Sequence, residues 1–353
     1  MQIAALDHTR IASVAARANQ SGLLPQHHPV WAQVLSNIGE DCRGLVALDG
    51  PDIVAWLLYT VSRGAYGTVV NSLPLLLFGG PAVPTADDAV TSALLEALRV
   101  EAESMGADVL SVGTSPFLTA DTETVYRRVL GVTHEFENFV QVQDLQVHPL
   151  DALAPKRRRA VRSEINRGIR HGLRVLPALD AGQLDEWLTI YRDRYREMGA
   201  VPYPEEFHRR AFELAVPAGA AEFWGVADGD RLVGGVMFLV SSDVIDYFSS
   251  ASLSDYRHLF PTTLLLNEAF SVFIARGAKV FNWQSSPNRE GVYQYKARWG
   301  AREWRYFYLS SLLKPETTLL RTPVAEIRRA YPLRFVLPFS LWSQEAGSPG
   351  PKH

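Results

Sequence analysis

The chain contains one arrangement of residues twice, and this repeat limits the folds open to it. Leu94-Leu95, Gly106-Ala107, Val109 and Ser115-Pro116 line up with Leu265-Leu266, Gly277-Ala278, Val280 and Ser286-Pro287 at a single offset without a gap. Upstream of each copy lies a matching pair of segments, VALDGPDIVAWLLYTV (46–61) and VADGDRLVGGVMFLV (226–240). Both read as a strand, a turn of Asp and Gly, and a second strand, as in a hairpin. Each half therefore runs hairpin, further strand, helix of about three turns, strand. A repeat of this size indicates a duplicated α/β domain.

The 353 residues suffice for two domains of ordinary size. With 47% hydrophobic and 21% charged residues the chain reads as an ordinary globular protein with a large core. A net charge of −3 argues against a broadly basic nucleic-acid binder but leaves room for a local basic patch. The single Cys42 excludes an intrachain disulfide, and no Cys/His cluster has metal-ligand spacing, so no metal is expected. Neither a secretory signal nor an apolar run long enough to span a bilayer is visible, and a cytoplasmic location is the expectation.

The second copy ends in GAKVFNWQSSPNREGVYQYKARWGA (277–301), read as a strand closing near Trp283, a polar turn, and helical turns carrying Tyr295, Lys296 and Trp299. A lone Lys among aromatics admits two readings. It lies on the surface with its stem against Tyr295 and Trp299, or it is stripped of water and holds a developing oxyanion. VIDYFSSAS (244–252) alternates as a strand, and its spacing puts Tyr247 and Ser249 on one side, as hydroxyls for a cleft, with Asp246 on the other. Asn71, within the hydrophobic VVNSLPLLLFGGPAV (69–83) read as a strand, either satisfies a loop or faces a ligand.

PKRRRAVRSEINRGIRHGLRV (155–175) carries eight Lys and Arg residues against Glu164 alone. Val161, Ile165 and Ile169 form an apolar stripe, so the segment is one amphipathic helix ended by Gly172. It serves as a solvated linker or as a phosphate-attracting face, with Arg158 and Arg162 as candidate contacts. A helix over 180–199 carries Arg192, and a turn at Pro202-Tyr203-Pro204 follows it. The expected boundaries are a first domain over 1–150, an Arg-rich helix over 151–178, a second domain over 179–335 and a flexible tail over 336–353.

Four stretches together resemble the FemAB/FemX family, whose members have two GNAT-fold domains in tandem. They are NSLPLLLFGGP, the Arg-rich segment, VIDYFSSASLSDYRHLFPTTLLLNEAF and FNWQSSPNREGVYQYKARWGA. The last ends, as the family signature does, in a Lys a few residues before an aromatic residue and Gly. The resemblance implies amide formation, in which an amino acid passes from aminoacyl-tRNA to an amine of a peptide, cell-wall precursor or small metabolite. It places the family's oxyanion-stabilising Lys on Lys296 and the hydroxyl-bearing strand on Tyr247 to Ser252. Tyr295, Ser249, Asp246, Asn71, Arg192, Tyr203, Trp283 and Arg257 are then the expected substrate-binding residues, with Tyr247 beside Lys296 as catalytic. The sequence departs from the family where Ser249 stands for a second aromatic hydroxyl, and where no Lys lies near Trp31. The latter favours an acceptor other than a UDP-sugar-peptide.

Acetyl-CoA enzymes of the GNAT fold hold pyrophosphate on backbone N–H groups of a Gly-rich loop before a helix. Here that place reads Tyr256-Arg257-His258-Leu259-Phe260-Pro261-Thr262-Thr263, with no Gly and with a Pro that removes a donor. The expectation is a cofactor-free transferase using aminoacyl-tRNA. A transferase using acyl-CoA or an acyl-carrier protein, and a non-catalytic scaffold with the same fold, are the alternatives.

Overall fold

The computed structural model describes residues 1–332 except Asn19 and Pro287. The expected tail over 336–353 lies outside the described residues. The chain forms two compact units. Unit 1 comprises Met1–Phe139 and, among the described residues, 305–332; unit 2 comprises Val140–Trp304.

In chain order the elements are β1 (Gln2–Ala5), α1 (His8–Arg17), α2 (Val30–Asn37), β2 (Asp41–Asp49), β3 (Asp52–Gly64), β4 (Gly67–Ser72), α3 (Asp88–Ser104), β5 (Val109–Gly113), α4 (Ala120–Leu130) and β6 (His134–Asp144). Then follow α5 (Pro149–Ala152), α6 (Pro155–Arg170), β7 (Leu173–Leu176), α7 (Ala181–Met198), α8 (Glu205–Arg210), a π-helical turn (Ala211–Ala215), β8 (Ala221–Asp228), β9 (Arg231–Val240) and β10 (Val244–Ser252). The chain closes with α9 (Pro261–Ala275), β11 (Val280–Ser285), α10 (Val292–Arg298), β12 (Arg302–Leu312) and α11 (Val324–Ala330).

The repeat is visible in the sheets. Unit 1 is ordered β1-β2-β3-β4-β5-β12, and unit 2 is ordered β7-β8-β9-β10-β11 followed by the 140–144 part of β6. In both, three antiparallel pairings lead to one parallel pairing and then a last antiparallel one. The parallel pairs β4/β5 and β10/β11 are joined through α3 and α9, the crossover helix that a parallel pair requires. Each unit's sixth strand follows a helix of the other unit in the chain: β12 follows α10 and pairs with β5, and β6 follows α4 and pairs with β11. The boundaries expected from sequence run the second domain on to residue 335, whereas 305–332 belongs with unit 1.

Local rules account for the elements. Asp87 caps α3 by accepting from the Ala89 and Val90 N–H groups, and Asp180 forms a capping box with Gln183 at the start of α7. Gly229, at φ 59°, closes the β8/β9 hairpin. Two expectations fail locally. The strand over 69–83 stops at Ser72, because Leu73 and Leu77 take left-handed conformations (φ 48° and 72°) around a 3₁₀ turn at Pro74–Leu76. In α6, Val161 and Ile165 are buried but Ile169 is 56% exposed, since the helix ends one residue later.

The core of unit 2 lies between its sheet and α6 and α9. Leu264, Leu265, Leu266, Phe270 and Phe273 of α9 are buried with Trp224, Phe238, Phe281, Trp283 and Trp299. Phe270 is central, with its ring 4.9 Å from Phe281 and 5.2 Å from Trp299.

Candidate functional site

The two parallel strand pairs put polar residues at equivalent rungs. In unit 1 Asn71 is the register partner of Ser111, and in unit 2 Asp246 is the partner of Asn282. The repeat aligns Val109 with Val280, so Asn71 and Asp246 are the same position of the duplicated fold, and both are buried. The other expected site residues lie in unit 2.

Beyond Asp246↔Asn282 the pairing of β10 with β11 ends, while β10 continues along β9. Strand β11 is irregular there, and Gln284 adopts φ 61°, a left-handed conformation rare for a residue with a Cβ. The Asn282 Oδ1 accepts the Gln284 N–H at 3.0 Å and holds this kink. The kink turns the Gln284 side chain onto the Asp246 carboxylate, to which its Nε2 donates. It also presents successive carbonyls to Lys296 on α10. The Lys296 Nζ donates to the Gln284 carbonyl (3.1 Å), the Ser285 carbonyl (2.7 Å) and the Ser286 hydroxyl (3.0 Å). Ser286 in turn donates to the Gln141 Oε1 at 3.3 Å.

Lys296 is therefore not a surface lysine with its stem laid along aromatic rings. It is 3% exposed, its three hydrogens meet neutral oxygens, and burial pulls its pKa from the ordinary 10.5 to about 7. The strained Gln284 is the local signature of this cradle, and strain of that kind concentrates at functional sites.

The strand β10 corrects one expectation. A bulge falls between Tyr247 and Ser249, with Phe248 as the extra residue. An extra residue inverts the alternation, so Tyr247 and Ser249 point to opposite faces. Tyr247 packs against Trp283 (5.6 Å) and Phe281 (6.3 Å) in the core, where burial raises its phenol pKa well above the ordinary value. Ser249 faces α7 and α8 instead, where its Oγ lies 3.1 Å from the His208 Nε2.

His208 has no signal in the sequence beyond being a His on a short helix. It is fully buried and ringed by Trp187, Tyr191, Tyr203 and Phe207. Burial lowers its pKa to about 4, so the ring is neutral. Its Nδ1 is 3.3 Å from the Pro204 carbonyl, which only accepts, so Nδ1 carries the hydrogen and Nε2 accepts from Ser249. The π-helical turn begins three residues on, a feature often found near functional sites.

Other expected contacts are spent on the chain itself. The Arg192 Nη1 donates to Glu205 at 2.9 Å, tying α7 to α8. The Arg257 Nη2 donates to Glu197 and to Ser254. Arg158 caps α5 through the Asp151 and Leu153 carbonyls, while Arg162 is exposed with Asp151 at 3.6 Å. The Tyr203 N–H donates to the Tyr191 hydroxyl, and its ring packs on Phe207 and Phe248. Trp283 is a wholly buried core side chain.

Tyr295 and the lone acid of α6 form a network at the start of α9. The Thr263 Oγ1 lies 3.3 Å from the Tyr295 hydroxyl and 3.3 Å from the Glu164 Oε2. Glu164 takes both guanidinium nitrogens of Arg298 at 2.6 and 2.7 Å. A carboxylate thus sits at the first turn of α9, the end of a helix that favours negative charge. Among the described residues no group of three or more His, Cys, Asp or Glu is placed to hold a metal, and no helix is long and apolar enough to cross a membrane.

Residues 155–297 match the family profile described as "Acetyltransferase (GNAT) domain". No curated protein matches the sequence. Among solved structures, FemX superposes with a TM-score of 0.66 over 88% of this chain and 97% of its own, at 10% identity. L-PGS from Bacillus licheniformis gives 0.57 over 86% and 91%, at 13% identity. A tandem GNAT protein from the clavulanic acid biosynthesis pathway gives 0.54 over 89% and 99%, at 13% identity. The chain therefore shares the fold of FemX and of other tandem GNAT proteins, two like units of which the second carries the acetyltransferase (GNAT) domain profile.

Proposed function

We propose that the protein is an amide-forming N-acyltransferase that passes an aminoacyl group from aminoacyl-tRNA to an amine of a peptide, cell-wall precursor or small metabolite. The observation that carries this reading is the buried Lys296 in its cradle of three oxygens. A water-poor cation on a rigid support is the device that stabilises charge developing on a carbonyl oxygen. When the acceptor amine attacks the ester carbonyl, the C=O electron pair moves onto oxygen. Lys296 meets that oxyanion by exchanging its Ser286 contact, and Ser286 keeps Gln141 as a partner. Collapse then expels the 3′ oxygen of the tRNA, which leaves with the proton shed by the amine. Ser249, held by the neutral His208, and Asp246, held by Gln284, supply acceptors for the N–H groups of the amine.

The profile's name favours an acyl-CoA donor instead. Glu164 argues against it. In this fold the CoA pyrophosphate uses the N-terminus of the crossover helix, and in unit 2 that end is supplied with a carboxylate from the chain itself, paired to Arg298. A diphosphate brought there meets like charge, and Arg298 is already engaged.

Two titrations test the reading. Wild-type protein is expected to bind charged tRNA with strong salt dependence and not to bind CoA. Glu164→Gln, which keeps shape and removes charge, is expected to gain measurable CoA affinity. Binding of CoA by the wild type, with no binding of charged tRNA, would sink the aminoacyl reading. In the transfer assay Lys296→Ala is expected to lower kcat about a hundredfold or more. Undiminished transfer by this variant removes Lys296 from the mechanism.

A further inference from the structure

Asn282 on β11 is completely buried. Its amide orientation is set by its partner. The Gln284 backbone N–H can only donate, so the atom 3.0 Å from it is the carbonyl oxygen, and Nδ2 points the other way. That nitrogen carries two hydrogens and has no hydrogen-bond partner among the described residues. A buried donor left unpaired costs about 1–3 kcal/mol, and folded proteins seldom tolerate one.

The position of this unpaired donor is informative. Asn282 is the last rung at which β10 and β11 pair, so its side chain stands where the two strands part. Its oxygen holds the kink at Gln284, and the same kink presents the Gln284 and Ser285 carbonyls to Lys296. One residue therefore fixes the Lys296 cradle with one end of its amide and leaves two N–H donors at the other. A pair of buried N–H donors where the strands part suits an oxygen that gains charge.

Resting on the acyl-transfer reading above, we propose that the Asn282 side-chain amide donates a hydrogen bond to the carbonyl oxygen of the acyl donor and is a second oxyanion donor beside Lys296. The amine nitrogen bonds to the carbonyl carbon, the C=O pair moves to oxygen, and Asn282 donates hydrogen bonds without giving up a proton. The ligand class is an acyl ester or thioester, recognised by its carbonyl.

Isotope-edited infrared spectroscopy of the full-length protein tests this directly. The probes are alanyl-adenosine ester and acetyl-CoA, each labelled with ¹³C at the carbonyl. The expected result is a shift of the ester carbonyl band to lower wavenumber on binding the wild type, lost in Asn282→Ala. A shift seen only with the thioester, and lost in the variant, supports Asn282 while overturning the aminoacyl donor. A band that moves equally in wild type and variant, or that neither probe shifts, overturns the assignment of Asn282. Asn282→Asp separates this role from a structural one, because it keeps an oxygen to accept the Gln284 N–H and replaces the two N–H donors by an acceptor. With the hydrogen bond of the kink kept, this variant is expected to lose the carbonyl shift and to lower kcat about a hundredfold at little change in KM, whereas Asn282→Leu, which strips the Gln284 N–H of its acceptor, is expected to lower the melting temperature as well. A lowered melting temperature with kcat retained would mean that Asn282 serves the fold alone.

Discussion

At the residue scale, the sequence singled out Lys296 but not the groups that its ammonium meets. Aromatic neighbours in sequence suggested a dry site, yet the groups that receive its hydrogens are two carbonyls and a hydroxyl of the β11 kink. Its titration follows. Below pH 7 the folded and unfolded chains both hold the proton, and the folded chain carries the full cost of burying the charge. Between about 7 and the ordinary 10.5 the unfolded chain binds a proton that the folded chain releases, so this group makes stability rise with pH. Lys296→Met removes that slope. Its effect on the melting temperature is expected to be more favourable at pH 6 than at pH 9, and an equal effect at both would show that Lys296 is not held at a lowered pKa. The pairing of Ser249 with His208 was illegible, because a one-residue bulge inverts the strand's alternation and no composition signal marks it.

At the element scale, α6 divides its charges. Arg157, Arg158 and Arg167 donate to carbonyls of the chain, and Arg298 holds the Glu164 that α6 contributes. Lys156, Arg159, Arg162 and Arg170 remain exposed at a spacing that places them along the solvent side of the helix. Arg159→Glu with Arg162→Glu is therefore expected to weaken charged-tRNA binding and to reduce its salt slope by about one for each phosphate the helix no longer neutralises. Arg158→Ala is expected to leave that slope unchanged. A salt slope untouched by the double charge reversal would mean that α6 is only a solvated helix. The amphipathic pattern and the Gly172 stop were legible. Which arginines cap neighbouring turns was not, because that depends on where α5 and the loop before α9 fall in space.

At the scale of the whole molecule, the repeat announced two like units, and the strand order of each bears out the duplicated α/β architecture. The exchange of sixth strands was hidden. Residues Tyr308–Leu312 of β12 pair with β5, and Phe307 and Leu309 belong to the core of unit 1. A chain ended at Trp304 is thus expected to lose hydrogen-exchange protection across Val109–Gly113, while β9 and β10 keep theirs. Retained protection in β5 would mean that the first 150 residues form a complete domain, as the sequence boundaries imply.

The elements and the duplication were written in the order of the amino acids. Hairpin turns, helix caps and apolar periodicity act over a few residues, so they can be read along the chain. What the polar side chains of the site meet came from the folded arrangement. Asn282 with Gln284, Glu164 with Thr263 and Arg298, and His208 with Ser249 are hydrogen bonds between side chains and partners set by kinks, bulges and crossovers. Their geometry depends on register, and a shift of one residue in a strand sends the same side chain to the other face.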